Sequence, residues 1–159
     1  MLTATVYLLP LFAFICLGGK AVVVDIQEHR LPNCLTAGTT LAVTVAQLAS
    51  SMWRGSWDTW PDVALTVLET LTVYLLLYVA SRGALGFGDV KFSIPCAVAI
   101  GCYCPDQWMR AIWFSFGTAA VFAVFSLRRN HLQSKSAIPF GPFMLLGTVF
   151  VIVDALVSG

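Results

Sequence analysis

The sequence predicts an all-α integral membrane protein, a bundle of about six transmembrane helices forming one domain over residues 1–159. Hydrophobic residues make up 58% of the chain and charged residues only 11%, which is more apolar surface than a soluble core can bury. The mean hydropathy is +0.84. Apolar residues also cluster in runs that approach the roughly 20 residues a helix needs to cross a bilayer. With a net charge of +1, nothing indicates a nucleic-acid partner.

Each predicted helix corresponds to one apolar run. The six runs are 2–24, 35–52, 63–79, 92–103, 111–127 and 138–157. The first lacks the basic segment and small-residue cleavage site of a signal peptide, so we interpret it as a retained helix. The second restarts after Leu31-Pro32-Asn33, and Pro is tolerated in the first turn of a helix. The fourth run is short, and we expect it to extend back through Asp89-Val-Lys91.

The charges between the runs predict an orientation. Loops one, three and five carry seven basic residues, counting those near the helix ends: Lys20, Arg30, Arg82, Lys91, Arg128, Arg129 and Lys135. Loops two and four carry only Arg54 and Arg110. By the positive-inside rule the odd loops face the cytoplasm. Five tryptophans are predicted to anchor the outer boundary: Trp53, Trp57, Trp60, Trp108 and Trp113.

Asp25 and Asp89 are the strongest functional candidates. Both lie in short polar breaks on the cytoplasmic side, so they can meet. Carboxylates at membrane depth are costly and usually functional, and a pair of them suits acid–base chemistry on a peptide bond. Each also has an ordinary structural explanation. Asp25 could end the first helix at the headgroups, and Asp89 could be the N-cap of the fourth helix.

Gly86, Gly88 and Lys91 surround Asp89 and are candidates for substrate binding. Without Cβ atoms, the two glycines let another backbone approach closely, so an extended peptide could lie against this loop. The Lys91 side chain can reach the headgroups, and its charge could keep a nearby carboxylate ionised.

The other polar residues carry weaker signals. The five cysteines include no Cys-x-x-Cys pair, so we predict no metal site and no cofactor. His29 and His131 lie in basic loops, where a solvated histidine is the expected state. Glu28 could tune Asp25, although a solvated role is favoured, and Asp154 is expected near the outer end of the last helix without a role.

Three motifs occur in order along the chain. They are Asp25-Ile-Gln-Glu-His-Arg-Leu-Pro-Asn33, Gly86-Phe-Gly-Asp-Val-Lys91 and Ile138-Pro-Phe-Gly-Pro-Phe143. Together they resemble the type IV prepilin peptidases, which are intramembrane aspartyl proteases of the Gly-x-Gly-Asp type. The resemblance implies that Asp25 and Asp89 are the catalytic pair, and that Gly86, Gly88 and Lys91 occupy the matching motif positions.

The resemblance also implies a substrate and a place. The family removes the short basic leader from type IV prepilins and pilin-like secretion subunits at the cytoplasmic face of the inner membrane. Many bacterial members carry a further cytoplasmic domain with paired Cys-x-x-Cys motifs, associated with N-methylation. This sequence has neither, so we expect a minimal, peptidase-only form without methyltransferase activity.

Two other classes of protein remain open. A small transporter or channel would place Asp25 and Asp89 on an ion path, although carboxylates near the midplane and a repeat between halves would then be expected. A scaffold subunit of a secretion system would leave both aspartates replaceable.

Overall fold

We describe the protein from a computed structural model, in which residues 6–28, 31–82, 85–128 and 139–158 are described. These ranges contain six α-helices and no strand: α1 Leu9–Glu28, α2 Asn33–Arg54, α3 Thr59–Ala80, α4 Phe87–Tyr103, α5 Trp108–Arg128 and α6 Gly141–Ser158. A single 3₁₀ turn at Pro105–Gln107 precedes α5. The predicted all-α class is confirmed. The expected extension of the fourth helix back to Asp89 is confirmed as well, and the helix begins two residues earlier, at Phe87.

Four segments of the described chain are long and apolar enough to cross a membrane: Leu9–Glu28, Thr59–Ala80, Pro105–Ser126 and Gly141–Ser158. α4 is shorter, and its 17 residues span roughly 26 Å at 1.5 Å per residue. α2 has 22 residues but turns polar side chains such as Gln47 toward the bundle, while Leu41 and Val45 are exposed. The fold is that of an all-α membrane protein.

α4 is the central helix of the bundle and contacts each of the other five helices. Nearly every residue from Val90 to Cys102 is buried. α4 packs tightly on α3, where a Cβ on Gly101 would lie 2.7 Å from the Cα of Val63. Small residues allow such contacts in membrane bundles, because dispersion between close backbones stabilises the packing.

The alternating helices bring the two aspartates to one end of the bundle, where α1 ends and α4 and α6 begin. We refer to it as the aspartate end. At the opposite end, the Tyr103 hydroxyl donates to the carbonyl oxygen of Tyr7 (2.7 Å) and accepts the N–H of Leu11 (3.1 Å). Arg110 forms an ion pair there with Asp154 (3.1 Å). Trp57 lies in a loop at this opposite end. The two ends therefore carry different side chains.

Candidate active site

Asp25 lies in the last turn of α1, and only 4% of its surface is exposed. α1 continues beyond it to Glu28, which is exposed. A carboxylate that only ended the helix at the headgroups would be hydrated. The burial of Asp25 therefore favours the functional interpretation over the structural one.

The first residue of α6 contacts this carboxylate. The N–H of Gly141 donates to Oδ2 of Asp25 at 3.0 Å, joining residues 116 positions apart. The N-terminus of a helix carries unpaired N–H groups and a partial positive charge, and both favour an ionised carboxylate. The contact thus fixes the end of α1 against the start of α6.

Asp89 lies in the first turn of α4 and is partly buried. Its Oδ2 accepts the N–H of Gly86 at 3.2 Å. Gly86, with φ −68° and ψ 141°, is the N-cap residue, and Asp89 occupies the third helical position. The structural expectation that Asp89 itself is the N-cap was wrong, because the chain enters the helix three residues earlier. A Cβ on Gly86 would lie 3.0 Å from the same carboxylate oxygen.

The two carboxylates influence each other electrostatically. Asp89 lies outside the four membrane-spanning segments, and burial raises the pKa of its carboxyl group. The negative charge of Asp25 raises this pKa further, while the hydrogen bond from Gly86 lowers it. Two carboxylates that oppose each other's ionisation share one proton over a range of pH.

The segment before α2 packs on the first turn of α4. A Cβ on Gly88 would lie 3.2 Å from the Cβ of Leu31, which is buried. The Lys91 ammonium donates to Oδ1 of Asn33 at 2.8 Å and lies 4.8 Å from the centre of the Phe87 ring. Gly88 and Lys91 therefore contact Leu31 and Asn33 of the protein itself. The substrate-binding role of Gly86, Gly88 and Lys91 stays a prediction.

The remaining candidates lie away from this site or outside the described residues. His29 and His131 lie outside the described residues. Asp154 is at the opposite end, as expected, in its ion pair with Arg110. The thiols of Cys102 and Cys104 are buried and free. Within the described ranges no group of three or more His, Cys, Asp or Glu side chains could hold a metal ion.

Sequence reasoning assigned no role to Gly141, Leu31 or Asn33, although it singled out the motifs that contain them. Leu31 packs beside Gly88, the Asn33 side chain accepts a hydrogen bond from Lys91, and the Gly141 N–H donates to Asp25. The signal available in the sequence was the occurrence of Leu-Pro-Asn and Pro-Phe-Gly-Pro next to helix starts. These motifs predict where the three residues lie along the chain but not which residues they contact.

One groove of the described residues lies away from the aspartates. It has a volume of about 840 Å³ and runs along the outer faces of α5 and α6, between Arg110 and Phe125. Its lining is mainly aromatic and aliphatic, including Trp113 and Phe150. Such a surface suits the hydrocarbon of a bilayer, so size alone does not locate the chemistry.

Comparison with protein families gives a match. The profile of the Type IV leader peptidase family matches residues 7–127, a range that includes both aspartates and ends before α6. No curated protein and no solved structure matches the chain.

Proposed function

The chain belongs to the type IV leader peptidase family, and we propose that it is an aspartic endopeptidase whose catalytic residues are Asp25 and Asp89. One observation carries the proposal: the two carboxylates lie at the same end of the bundle, Asp25 buried and Asp89 partly buried, and the charge of Asp25 raises the pKa of Asp89. That arrangement is the one that acid–base hydrolysis by a carboxylate pair requires.

The environments of the two carboxylates support separate roles. The Gly141 N–H donates to Oδ2 of Asp25, whereas burial and the charge of Asp25 raise the pKa of Asp89 and so favour a proton there. Asp25 takes a proton from water as the water oxygen attacks the scissile carbonyl carbon, and Asp89 gives its proton to the carbonyl oxygen. As the resulting diol collapses, Asp25 protonates the leaving amine and Asp89 recovers a proton from the diol. The pair then returns to its starting state without a metal or a covalent intermediate.

The proposed substrates are type IV prepilins or pilin-like secretion subunits, which carry a short basic leader followed by a long apolar helix. The helix can stay in the bilayer while the cleavage point reaches the aspartate end. The bond to be cut must first unwind, because a helix holds its carbonyl oxygen in the i→i−4 hydrogen-bond ladder. A small residue before the cut eases unwinding, and the family resemblance implies a Gly there.

The site is proposed to face the cytoplasm from the inner membrane. The asymmetry of basic residues between odd and even loops supports this orientation. Single cysteines at Arg82 and Asp58, with Cys16 and Cys34 replaced by serine, provide the test. A membrane-impermeant maleimide should label Asp58→Cys in intact cells and Arg82→Cys only after lysis. Labelling of both positions from outside would contradict the proposal.

Cleavage of a prepilin by the protein purified in detergent tests the activity. We expect Asp25→Asn and Asp89→Asn each to reduce the rate at least about 1,000-fold, because removing either member of a unit disables the whole relay. Asp62→Asn, at the opposite end, is the matched control and should retain the wild-type rate. Substantial activity in folded Asp25→Asn or Asp89→Asn would refute the assignment of these two residues as catalytic.

The transporter or channel alternative receives less support. An ion path favours carboxylates near the bilayer midplane. Asp25 and Asp89 instead lie in the last turn of one helix and the first turn of another, at the same end.

A further inference from the structure

The start of α6 contacts the Asp25 carboxylate in two ways. Gly141 donates its N–H to Oδ2 at 3.0 Å. Its Cα also lies so close that a Cβ would be 2.7 Å from Oδ2 and 3.4 Å from Cγ of Asp25. Any residue other than glycine would therefore displace either the carboxylate or the helix start. The family profile ends at residue 127, and the resemblance noted for the Pro-Phe-Gly-Pro motif gives Gly141 no role.

Aromatic packing holds Gly141 in place. The ring of the preceding residue, Phe140, lies 4.7 Å from the ring of Phe116 on α5. Its carbonyl oxygen accepts the N–H groups of Phe143 and Met144 at 3.1 and 3.2 Å, which closes the first turn of α6. The Phe143 ring in turn lies 5.5 Å from that of Phe122 on α5. The position of the Gly141 N–H is thus set by the α5–α6 contact.

We propose that Gly141 is a positioning residue, whose N–H and bare Cα hold the carboxylate of Asp25 in the orientation that takes a proton from water. The proposal rests on the proposed peptidase function and adds to it a residue from the last helix. α6 contributes no charged side chain in its first turn, so its action on Asp25 is through the backbone. The contact matters for the rate because misplacement of a catalytic group by about 1 Å can reduce a rate about 100-fold.

Three Gly→Ala variants separate positioning from packing. Gly141→Ala places a methyl group against Asp25. In Gly147→Ala, six residues further along α6 than Gly141, the methyl group would lie 2.7 Å from the carbonyl oxygen of Ala111 on α5. In Gly117→Ala nothing lies within 4 Å of the added atom. The measurements are kcat and KM for a prepilin in mixed micelles, together with Tm for each variant.

We expect Gly141→Ala to lower kcat about 100-fold with KM within about twofold of wild type. Gly147→Ala should lower Tm and leave kcat unchanged below its Tm, and Gly117→Ala should change neither. Wild-type kcat in Gly141→Ala would overturn the proposal. So would an equal loss of kcat in Gly147→Ala, or a rise in KM alone in Gly141→Ala.

A second variant covers the case in which Gly141→Ala does not fold. Phe140→Ala adds no atom near Asp25 but removes the ring that anchors the helix start. It should lower kcat about tenfold at temperatures below its Tm and leave KM unchanged, since misplacement acts on the chemical step. Unchanged kcat there would also overturn the proposal. A wild-type protein that cleaves no prepilin would instead refute the peptidase function itself.

Discussion

Both ends of the bundle carry acidic side chains, but they hold them in different ways. At the opposite end, Asp154 is paired with Arg110 at 3.1 Å, with 39% and 55% of the two side chains exposed. At the aspartate end, Asp25 is 4% exposed and Asp89 is partly buried. Both accept a backbone N–H, one from Gly141 and one from Gly86.

The two ends differ in the electrostatic free energy of their acidic side chains. An exposed ion pair costs little and contributes little, typically about 0–1 kcal/mol. Two neighbouring carboxylates withdrawn from water oppose each other and destabilise the fold unless one is protonated. Strained or costly groups persist where the surrounding structure over-determines them, and they cluster at catalytic sites. The comparison therefore supports the proposal that the chemistry takes place at the aspartate end.

Glycines at the two ends should respond differently to substitution. Gly88→Val forces Leu31 to move and shifts the turn that holds Asp89, so we expect kcat to fall about 100-fold. Gly101→Ala, at the opposite end, crowds Val63 and should lower Tm while kcat below the Tm stays at the wild-type value. Gly38→Val is the control, because nothing lies within 4 Å of a Cβ there. Full activity in Gly88→Val would remove the functional distinction between the ends.

The polar contact between Lys91 and Asn33 gives a smaller effect. If Lys91 acts by tying the Leu-Pro-Asn segment to α4, Lys91→Met and Asn33→Ala should each lower kcat about 3- to 10-fold, the equivalent of one hydrogen bond. The double variant should be no worse than the poorer single variant, because the residues form one contact. A rise in KM in Lys91→Met alone would show instead that Lys91 touches the substrate, as the sequence predicted.

What the sequence could predict was largely local. The apolar runs gave the six helices, and the Gly-x-Gly-Asp turn gave the start of α4 at Phe87 to within two residues. Helix alternation placed Asp25 and Asp89 at one end. The cap of α4 was misassigned by three residues, because both Gly86 and Asp89 are acceptable near a helix start and only the backbone conformation decides between them.

The contacts across the bundle could not be predicted from the sequence. Gly141 meets Asp25 across 116 residues, and Leu31, in the segment before α2, meets Gly88 in α4. Neither contact follows from local propensity, because each depends on the rotation and depth at which whole helices pack. The motifs marked these positions as unusual, but only the packed bundle shows which atoms they face.

Replacing Asp89 should stabilise the protein while it abolishes the proposed activity. The folded state raises the pKa of Asp89 above the value of about 3.9 of an unperturbed aspartic acid, so the folded state binds a proton more tightly than the unfolded state. The wild-type protein therefore loses stability as pH rises through that window. Asp89→Asn removes this loss and can still accept the Gly86 N–H. We expect its Tm to exceed that of wild type at pH 8, with the difference vanishing near pH 4.

Asp154→Asn is the matched variant at the opposite end and should have the smallest effect. It removes one partner of an exposed ion pair, which is worth about 0.2–1 kcal/mol, so Tm should fall slightly at pH 8 rather than rise. Because salt screens exposed charges, the difference from wild type should shrink at about 1 M salt, where the Debye length is about 3 Å. Activity should be unchanged. A Tm increase in Asp154→Asn equal to that of Asp89→Asn would mean that carboxylates at both ends cost the same, which would remove the energetic argument for a catalytic site at the aspartate end.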